Sequence, residues 1–562
     1  MGTGTTNVLG RIMASFGKFA GAEPSFSPAS DVTFGGVLFA LPALLSTGLL
    51  KYTDQCFRLP KGYYLLESIF LFLAFMALCR IKTIEGTRYL SPGEWGNLLG
   101  LDRCPEAKTL RKKVALLSQD DRPSRWMQEL SSFWMKFESE DNSVLYIDGH
   151  VQIYSGSQTK LPKHYVSRQK LCLRAVTDYW VNAMDGRPFF KINKAVDPGL
   201  VKVVEEDIVP KLEGAVSGQP TEKELEAHPL LHRLTLIFDR EGYSPELFFK
   251  MKKLQIACMT YHKFPKEDWP HEEFFAYEIR RYCGSTVKMM LAERGIFLGK
   301  KIWLREIRRL NSDGHQTSII SSDYCSRIDF IAKAMFARWC QENFFKYMKN
   351  HYNLDALTSY SIEGIPDTQM VVNPEWRSLD SKIRSRNGKL NRIEIKHSKL
   401  TLNGNIEEKK VEKYLDKKNE MENSIASFGE EIKKLKEQRK GVDKHIEIGQ
   451  LPEDSRFSQL DVQSKYLVDT IKIIAYRAET AMANALREKI TRPDEARTLL
   501  TGIFKADADI RPNLKEKTLT ISLHHLAAKT SSEAIRYLCD ELNATETKFP
   551  NSDLRIIYKL VS

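Results

Sequence analysis

Three acidic residues lie in sequence contexts where their carboxylates could act together on a phosphodiester bond. Asp148 lies within the first predicted strand, in YIDGH, Asp239 lies at the end of the fourth, in IFDREGY, and Glu342 lies in the helical pattern RWCQENFF. Clustered carboxylates repel one another unless cations lie between them, and their hard oxygen atoms select Mg²⁺ or Mn²⁺ over zinc. Two such ions about 3.5–4 Å apart activate the attacking oxygen and stabilise the leaving oxygen of an in-line displacement. We therefore expect Asp148, Asp239 and Glu342 to bind two ions, with Asp148 bridging them.

Three cations are spaced so that they share a helical face with Glu342. Arg338 precedes it by four residues, whereas Lys346 and Lys349 follow it by four and seven. On this face they could bind neighbouring phosphates or orient Glu342 through an ion pair. The alternative is a solvated helix face, which routinely carries such residues. Each acid alone is also explained by an ordinary turn cap or salt bridge, but their joint spacing favours the catalytic interpretation.

The elements that must position these residues follow the order β-β-β-α-β-α-β, with Asp185-Gly186 as a hairpin turn between the second and third strands. This α/β order resembles a ribonuclease-H-like core, a mixed sheet flanked by helices. In such a sheet the first and fourth strands are parallel neighbours, so Asp148 and Asp239 would project side by side. A helix packed on the sheet would bring Glu342 to them. Strands are expected at 143–156, 170–184, 188–196, 231–244 and 255–263, helices at 197–214, 244–254 and 326–350, and an antiparallel β insertion at 264–322.

The pattern resembles that of the DDE transposases of bacterial insertion sequences, in the branch with a β-strand insertion before the catalytic Glu. That branch has a helix signature of Tyr, two residues, Arg, three residues, Glu, six residues and Lys. Arg338, Glu342 and Lys349 match these spacings, whereas Met335 occupies the Tyr position, which leaves the role of a Tyr hydroxyl in doubt here. The resemblance of the core covers about 143–355.

The resemblance implies a reaction course and partners. Water would attack a phosphodiester at the transposon end and free a 3′-OH, which would then attack target DNA, or first the opposite strand to give a hairpin. The partners would be double-stranded DNA at the terminal inverted repeats and at the target, bound by a homodimer in the bacterial cytoplasm at the nucleoid. The alternative function is that of a non-catalytic DNA-binding descendant of a transposase.

A basic helix upstream of the acids is a second candidate DNA contact. Residues 86–118 predict two helices joined by a short turn, and the second places Lys108, Arg111 and Lys112 on an apolar backing. This arrangement resembles a helix-turn-helix, whose second helix could lie in a major groove. The alternative is a solvated amphipathic helix.

The composition is that of a large globular chain with a basic surplus. The 562 residues include 84 Lys and Arg against 72 Asp and Glu, a net charge of +12, which favours polyanionic partners such as nucleic acid. The nine Cys are scattered without C-x-x-C spacing, which argues against a disulfide framework and against a structural zinc site.

Two apolar runs, 33–50 and 63–79, are short and interrupted for membrane spans, so we expect buried core helices and no membrane partner. The remaining alternative is a membrane-associated coiled-coil protein, because 406–440 has heptad-like apolar spacing. That segment could form a dimerisation coil or an intramolecular hairpin.

The expected organisation is a helical N-terminal region (1–85), a helix-turn-helix region (86–140), the core (141–355), a basic linker (356–405) that is irregular over 374–400, a helical region (406–492) and a small α/β segment (493–562).

Overall fold

The computed structural model divides the chain into two compact units. The first, which we call the core unit, comprises Met1–Tyr154, Lys163–Ser361 and Leu460–Ser562, and the second, the hairpin unit, comprises Ser155–Pro162 and Ile362–Gln459. The residues whose structure is described are 6–137, 143–156, 159–166, 169–280, 286–299, 302–336, 339–356, 362–400, 408–453, 456–526 and 529–561.

Helices and strands occur in separate runs along the described chain. The helices are α1 (Val8–Ser15), α2 (Leu41–Thr47), α3 (Thr53–Cys56), α4 (Leu66–Leu78), α5 (Pro92–Asn97), α6 (Ala107–Leu117), α7 (Arg122–Phe137), α8 (Leu200–Val203), α9 (Val209–Leu212), α10 (Glu222–Ala227), α11 (Pro245–Lys253), α12 (Ile328–Phe336), α13 (Trp339–Tyr347), α14 (Pro374–Ser398), α15 (Glu408–Lys440), α16 (Val462–Arg487), α17 (Ala496–Lys505) and α18 (Lys529–Ala544). The strands are β1 (Ala29–Val32), β2 (Val144–Ile153), β3 (Lys163–Val166), β4 (Leu171–Ala183), β5 (Pro188–Lys194), β6 (Leu234–Ile237), β7 (Ile256–Tyr261), β8 (Phe275–Arg280), β9 (Thr286–Leu298), β10 (Ile302–Leu310), β11 (Gln316–Ser321), β12 (Ile362–Gly364), β13 (Met370–Val372), β14 (His445–Glu447), β15 (Ser458–Leu460), β16 (Ala508–Asn513), β17 (Thr518–Leu523) and β18 (Arg555–Leu560).

A mixed sheet of ten strands forms the centre of the core unit. Its order is β3-β4-β2-β6-β7-β11-β10-β9-β8, and β5 also pairs with β4. Strands β2, β6 and β7 are parallel to one another, whereas β2, β4 and β5 pair antiparallel. The five strands predicted before residue 264 are present as β2, β4, β5, β6 and β7, whereas β3 was not predicted. Strands β8 to β11 are antiparallel and extend the sheet beyond β7.

The N-terminal region contributes to a second sheet, which the sequence did not predict. Strand β1 pairs with β16, and the four-stranded sheet has the order β1-β16-β17-β18. The expectation that residues 1–85 are helical is therefore incomplete, because a four-residue strand with the sequence ASDV carries too little apolar periodicity to stand out.

The apolar run at 63–79 forms α4, whose residues 68–78 are all buried. The prediction of a buried core helix is confirmed for this run, and the run at 33–50 folds into a short 3₁₀ turn followed by α2. Among the described residues, none of the helices combines the length and the apolar character needed to cross a membrane.

The segment predicted as one long helix, 326–350, contains α12 and α13. Its last turn is a π-helix over Met348–Tyr352. Residues 337 and 338 lie outside the described residues, so the structure gives no account of Arg338. Met335, which stands where the related signature has Tyr, is fully buried in the cluster formed with Tyr146 and Ile331.

The hairpin unit corrects the expectation of an irregular basic linker over 374–400. This segment is the 25-residue helix α14, which packs along α15 to form a helical hairpin. The Asn373 side chain caps the helix by accepting a hydrogen bond from the Glu375 amide, and Pro374 occupies the first turn. The high charge of residues 374–400 obscures, in the sequence, a row of half-buried apolar residues that recurs at helical spacing along α14. The helical region expected over 406–492 is likewise divided, because α15 belongs to the hairpin unit and α16 to the core unit.

Buried charges attach the sheet to α16. The ammonium group of Lys191 on β5 binds Asp178 at 2.9 Å and Asp469 at 2.7 Å, and all three side chains are inaccessible to solvent. Lys465, one turn before Asp469, pairs with it at 3.1 Å. Among the described residues, Lys472 has no ion pair with a carboxylate and donates instead to the Asn353 carbonyl at 3.1 Å. Burial and the nearby Lys465 charge lower the pKa of Lys472 to about 7, although Asp469 opposes this effect.

The lowered pKa of Lys472 predicts a pH-dependent stability. The unfolded chain keeps this lysine protonated up to its ordinary pKa of 10.5, whereas the folded chain releases the proton near pH 7. The free energy of unfolding should therefore rise from pH 7 towards about pH 9, because unfolding takes up a proton in this range. Lys472→Met should raise the free energy of unfolding at pH 7 by about 1–3 kcal/mol and flatten this rise.

Urea denaturation at several pH values measures both effects. The exposed Lys505 provides the control, since Lys505→Met should leave the slope unchanged. A Lys472→Met protein that is less stable at pH 7 and keeps the full slope would contradict the prediction.

Candidate active site

Asp148 and Asp239 lie at the same level on neighbouring parallel strands. Pairs Val144–Thr235 and Tyr146–Ile237 set the register of β2 and β6, and both pairs are 91 residues apart in sequence. Asp148 and Asp239 are also 91 residues apart, so they continue the same register where β6 ends. Parallel neighbours lie about 4.8 Å apart, and alternation along each strand puts both residues on one face of the sheet.

The end of β6 fixes the Asp239 side chain. The strand sequence LTLI is buried throughout, and Asp239 then caps a 3₁₀ turn over Arg240–Gly242. Its Oδ1 atom accepts a hydrogen bond from the Glu241 amide at 2.8 Å, and the Thr260 hydroxyl donates to its carbonyl at 2.7 Å. A buried strand followed by a side-chain cap therefore leaves one carboxylate oxygen of Asp239 available at the sheet edge.

Helix α13 contacts β2 beside Asp148. Phe345 stacks on His150, with ring centroids 5.0 Å apart, and Phe344 packs against Trp180 at 5.4 Å. Trp180 is the antiparallel partner of Asp148, and His150 lies two residues further along the same strand face. The Glu342 side chain is exposed one turn before Phe345, so α13 carries it over the sheet face that bears Asp148.

The expected phosphate-binding cations have different surroundings. Lys349 pairs with Asp355 at 3.3 Å, and Asp355 also binds the Nε2 atom of His150 at 2.6 Å. Lys346 is exposed on α13. Lys349 is therefore tied to β2 through Asp355, whereas Lys346 faces solvent.

Two further acids, which the sequence analysis missed, adjoin the predicted site. The Tyr179 hydroxyl donates to Asp197 at 2.5 Å, and the Leu200 amide donates to Glu241 at 3.3 Å. Burial raises the pKa of the Glu241 carboxyl to about 7, and the neighbouring Asp197 charge adds to this effect. The charges of Asp239 and Asp148 raise the same pKa further, so negative charge is concentrated at this edge. Glu241 could have been found from its position two residues after Asp239, but Asp197 has no such sequence indication.

The donor set fits hard divalent cations, because it consists of carboxylate oxygens whose mutual repulsion already raises the pKa of Glu241. Within the described parts of the chain, three ligand atoms that all lie within 4.8 Å of one another occur at Asp31, Asp509 and His524. Asp148, Asp239 and Glu342 are not so close together. The register of β2 and β6 therefore indicates where the predicted site would lie, whereas the ligand set of Asp148, Asp239 and Glu342 stays a prediction.

The helix proposed as a DNA contact is present. Helix α6 buries Leu110, and the side chains of Lys108, Arg111 and Lys112 are exposed on it. Arg111 also approaches Glu85 at 3.3 Å. The exposed basic face is thus observed, whereas its contact with DNA stays a prediction.

Comparison of the sequence with protein families gives a match over residues 2–562, to the family described as "Transposase protein". The chain belongs to this transposase family. A search of curated proteins found no match.

A buried carboxylate holds the candidate active-site helix of this transposase in place. Glu479 on α16 is fully buried and accepts hydrogen bonds from Tyr347 at 2.7 Å and Tyr352 at 2.6 Å. Arg80 pairs with it at 2.5 Å, and Arg497 on α17 pairs with it at 3.3 Å. The end of α13 is therefore attached to α16 through the Glu479 carboxylate, which also pairs with Arg80 and Arg497.

Glu479→Gln should destabilise the transposase by about 3–5 kcal/mol, because Arg80 and Arg497 would remain buried without their counter-charge. Denaturant unfolding followed by tryptophan fluorescence measures this loss. The same substitution at Glu495, an exposed residue paired with Arg492 at 3.0 Å, should cost less than about 1 kcal/mol. Equal effects of the two substitutions would show that the buried network does not stabilise the fold.

Proposed function

We propose that this chain is a DDE-type transposase, which cleaves DNA at transposon ends and joins the freed 3′-OH to target DNA. The observation that carries the proposal is the register of β2 and β6: Asp148 lies on β2, and Asp239, two residues after the end of β6, keeps the 91-residue offset of the paired residues. Two carboxylates at this end of adjacent parallel strands form a pair positioned by the sheet, since β2 and β6 are hydrogen-bonded to each other. Glu342 complements the pair from α13.

The strand order supports a ribonuclease-H-like core. Five strands follow the order β5-β4-β2-β6-β7, in which the first three along the chain pair antiparallel and the last two pair parallel to β2. This is the topology that the sequence pattern led us to expect, and β8 to β11 correspond to the expected insertion. The fold alone does not establish an activity, so the proposal rests on the acids.

Asp148, Asp239 and Glu342 would hold Mg²⁺ or Mn²⁺. When bound, such ions supply activation of the attacking oxygen and stabilisation of the leaving oxygen. The chain itself contributes positioning: β2 and β6 fix the two aspartates, and the packing of Phe345 on His150 fixes the helix that carries Glu342. The energetic benefit is that the acidic groups are held in place before substrate binds.

The remaining basic residues would bind the DNA backbone. Lys346 is exposed beside Glu342, and Lys349 has the same helical face, so both could contact phosphates near the scissile bond. Arg338 is expected from sequence spacing alone to share this role, and it lies outside the described residues. The cations of α6 would contact a more distant part of the duplex, and binding of two transposon ends would require two protomers.

The acids are tested in cells that contain the coding region with its native flanking DNA. Asp148→Asn, Asp239→Asn and Glu342→Gln should each reduce excision and insertion by at least about 100-fold, since each removes a charge that the chemistry requires. The counted events and the sequenced junctions are the measurement. Glu226→Gln, on the exposed surface of α10, is the matched control and should transpose as the wild type does.

Purified proteins separate loss of chemistry from loss of folding. The three acidic-site variants should keep the thermal unfolding midpoint and duplex DNA binding of the wild type, while metal-dependent strand cleavage disappears. Undiminished cleavage by Asp148→Asn would contradict the assignment. Binding without cleavage by the wild type would instead favour the non-catalytic DNA-binding alternative.

A further inference from the structure

Helix α14 of the hairpin unit has a stripe of cationic and hydroxyl side chains that contains no acidic residue. The positions recur at intervals of four and three residues, which places them along one face of the helix. All of these side chains are exposed. The members of this α14 basic stripe are Ser378, Lys382, Ser385, Lys389, Arg392 and Lys396.

Another face of α14 packs against α15 and uses ion pairs there. Arg386 pairs with Glu431 of α15 at 2.8 Å, and His397 lies 3.4 Å from Glu422. The Asp380 carboxylate of α14 pairs with the Arg439 guanidinium group of α15. These contacts orient α14, so the direction in which the stripe faces is fixed by the packing of the hairpin.

Within the parts of the chain that the structure describes, the cations of the stripe have no such partners. Among the described residues, the ion pairs of α14 involve Asp380, Glu422 and Glu431, and none includes Lys382, Lys389, Arg392 or Lys396. Like charges three and four residues apart destabilise a helix by a few tenths of a kcal/mol per pair. A bound polyanion would remove this repulsion.

We propose that the α14 basic stripe binds the phosphate backbone of double-stranded DNA. From Lys382 to Lys396 the helix rises about 21 Å, at 1.5 Å per residue, and this length spans roughly six phosphates of one strand. The hydroxyls of Ser378 and Ser385 lie between the cations and can donate to phosphate oxygens. The stripe has the chemistry of a contact that positions DNA without reading its sequence.

A protein partner fits the stripe less well. Protein interfaces concentrate their binding energy in buried aromatic and apolar anchors, and the α14 basic stripe has none. The choice of DNA as the ligand rests on the proposed function of the chain. The α14 basic stripe lies on a helix that carries none of the predicted catalytic acids.

The test measures affinity of the full chain for a labelled duplex of unrelated sequence at several salt concentrations. Replacing all four cations of the stripe by Gln should weaken binding and reduce the slope of log K against log salt by about 3–4, near 0.9 per lost phosphate contact. A charge-preserving variant, with Lys382, Lys389 and Lys396 changed to Arg and Arg392 changed to Lys, should bind as the wild type does. This second variant distinguishes lost contacts from lost folding.

The matched control removes the same charge from α15. Lys413, Lys417, Lys433 and Lys434 are exposed, and each has an acidic residue three or four positions away on the same helix. Their joint replacement by Gln should change the salt slope by less than about 1. Equal losses in the two fourfold variants would overturn the proposal, because they would reflect net charge alone.

Two further outcomes also overturn it: an unchanged salt slope in the stripe variant, or tighter binding of the wild type to polyglutamate than to the duplex, which would identify an acidic protein partner. All binding is measured in the Asp148→Asn background as well as in the wild type. If Asp148→Asn still cuts DNA, the proposed catalytic site fails while the result for the stripe stands.

Discussion

The buried carboxylate of Glu479 joins parts of the core unit that are far apart in sequence. It accepts hydrogen bonds from Tyr347 and Tyr352 and pairs with Arg80 and Arg497. A carboxylate in such a place is strongly unfavourable unless it is paired, so the four partners must assemble around it together. The consequence for the site is direct, because Tyr347 is the last residue of α13, the helix that carries Glu342.

A second set of buried charges connects α16 to the central sheet. Lys191 lies between Asp178 on β4 and Asp469 on α16, with no access to solvent. Helix α16 therefore receives the Lys191 ammonium group from the sheet and the Tyr347 hydroxyl from the end of α13. Because Tyr347 is the last residue of α13, the exposed Glu342 is carried on a helix whose end is held by a buried contact.

The core unit and the hairpin unit differ in how their charged side chains are paired. In the core unit, charges that join distant elements are buried and paired, as with Lys191 and Glu479. In the hairpin unit, α14 and α15 pair charges across their contact, such as Arg386 with Glu431, and the α14 basic stripe is exposed. The cations of this stripe add nothing to packing, which is the distribution expected of a polyanion-binding surface.

The sequence by itself determined five strands of the central sheet, β2, β4, β5, β6 and β7, and their order along the chain, because buried strands such as LTLI leave local patterns. It also determined where Asp148 and Asp239 stand relative to those strands. It did not reveal the short strand β3. Nor did it reveal α14, since a helix that buries only Ile383 fully has a weak apolar pattern beneath its charges. Only the tertiary structure decided that β1 joins the C-terminal sheet, that Asp197 approaches the other acids, and that Glu479 holds α13. These contacts join residues up to several hundred positions apart, and no local pattern of residue types records which distant group a buried side chain will meet.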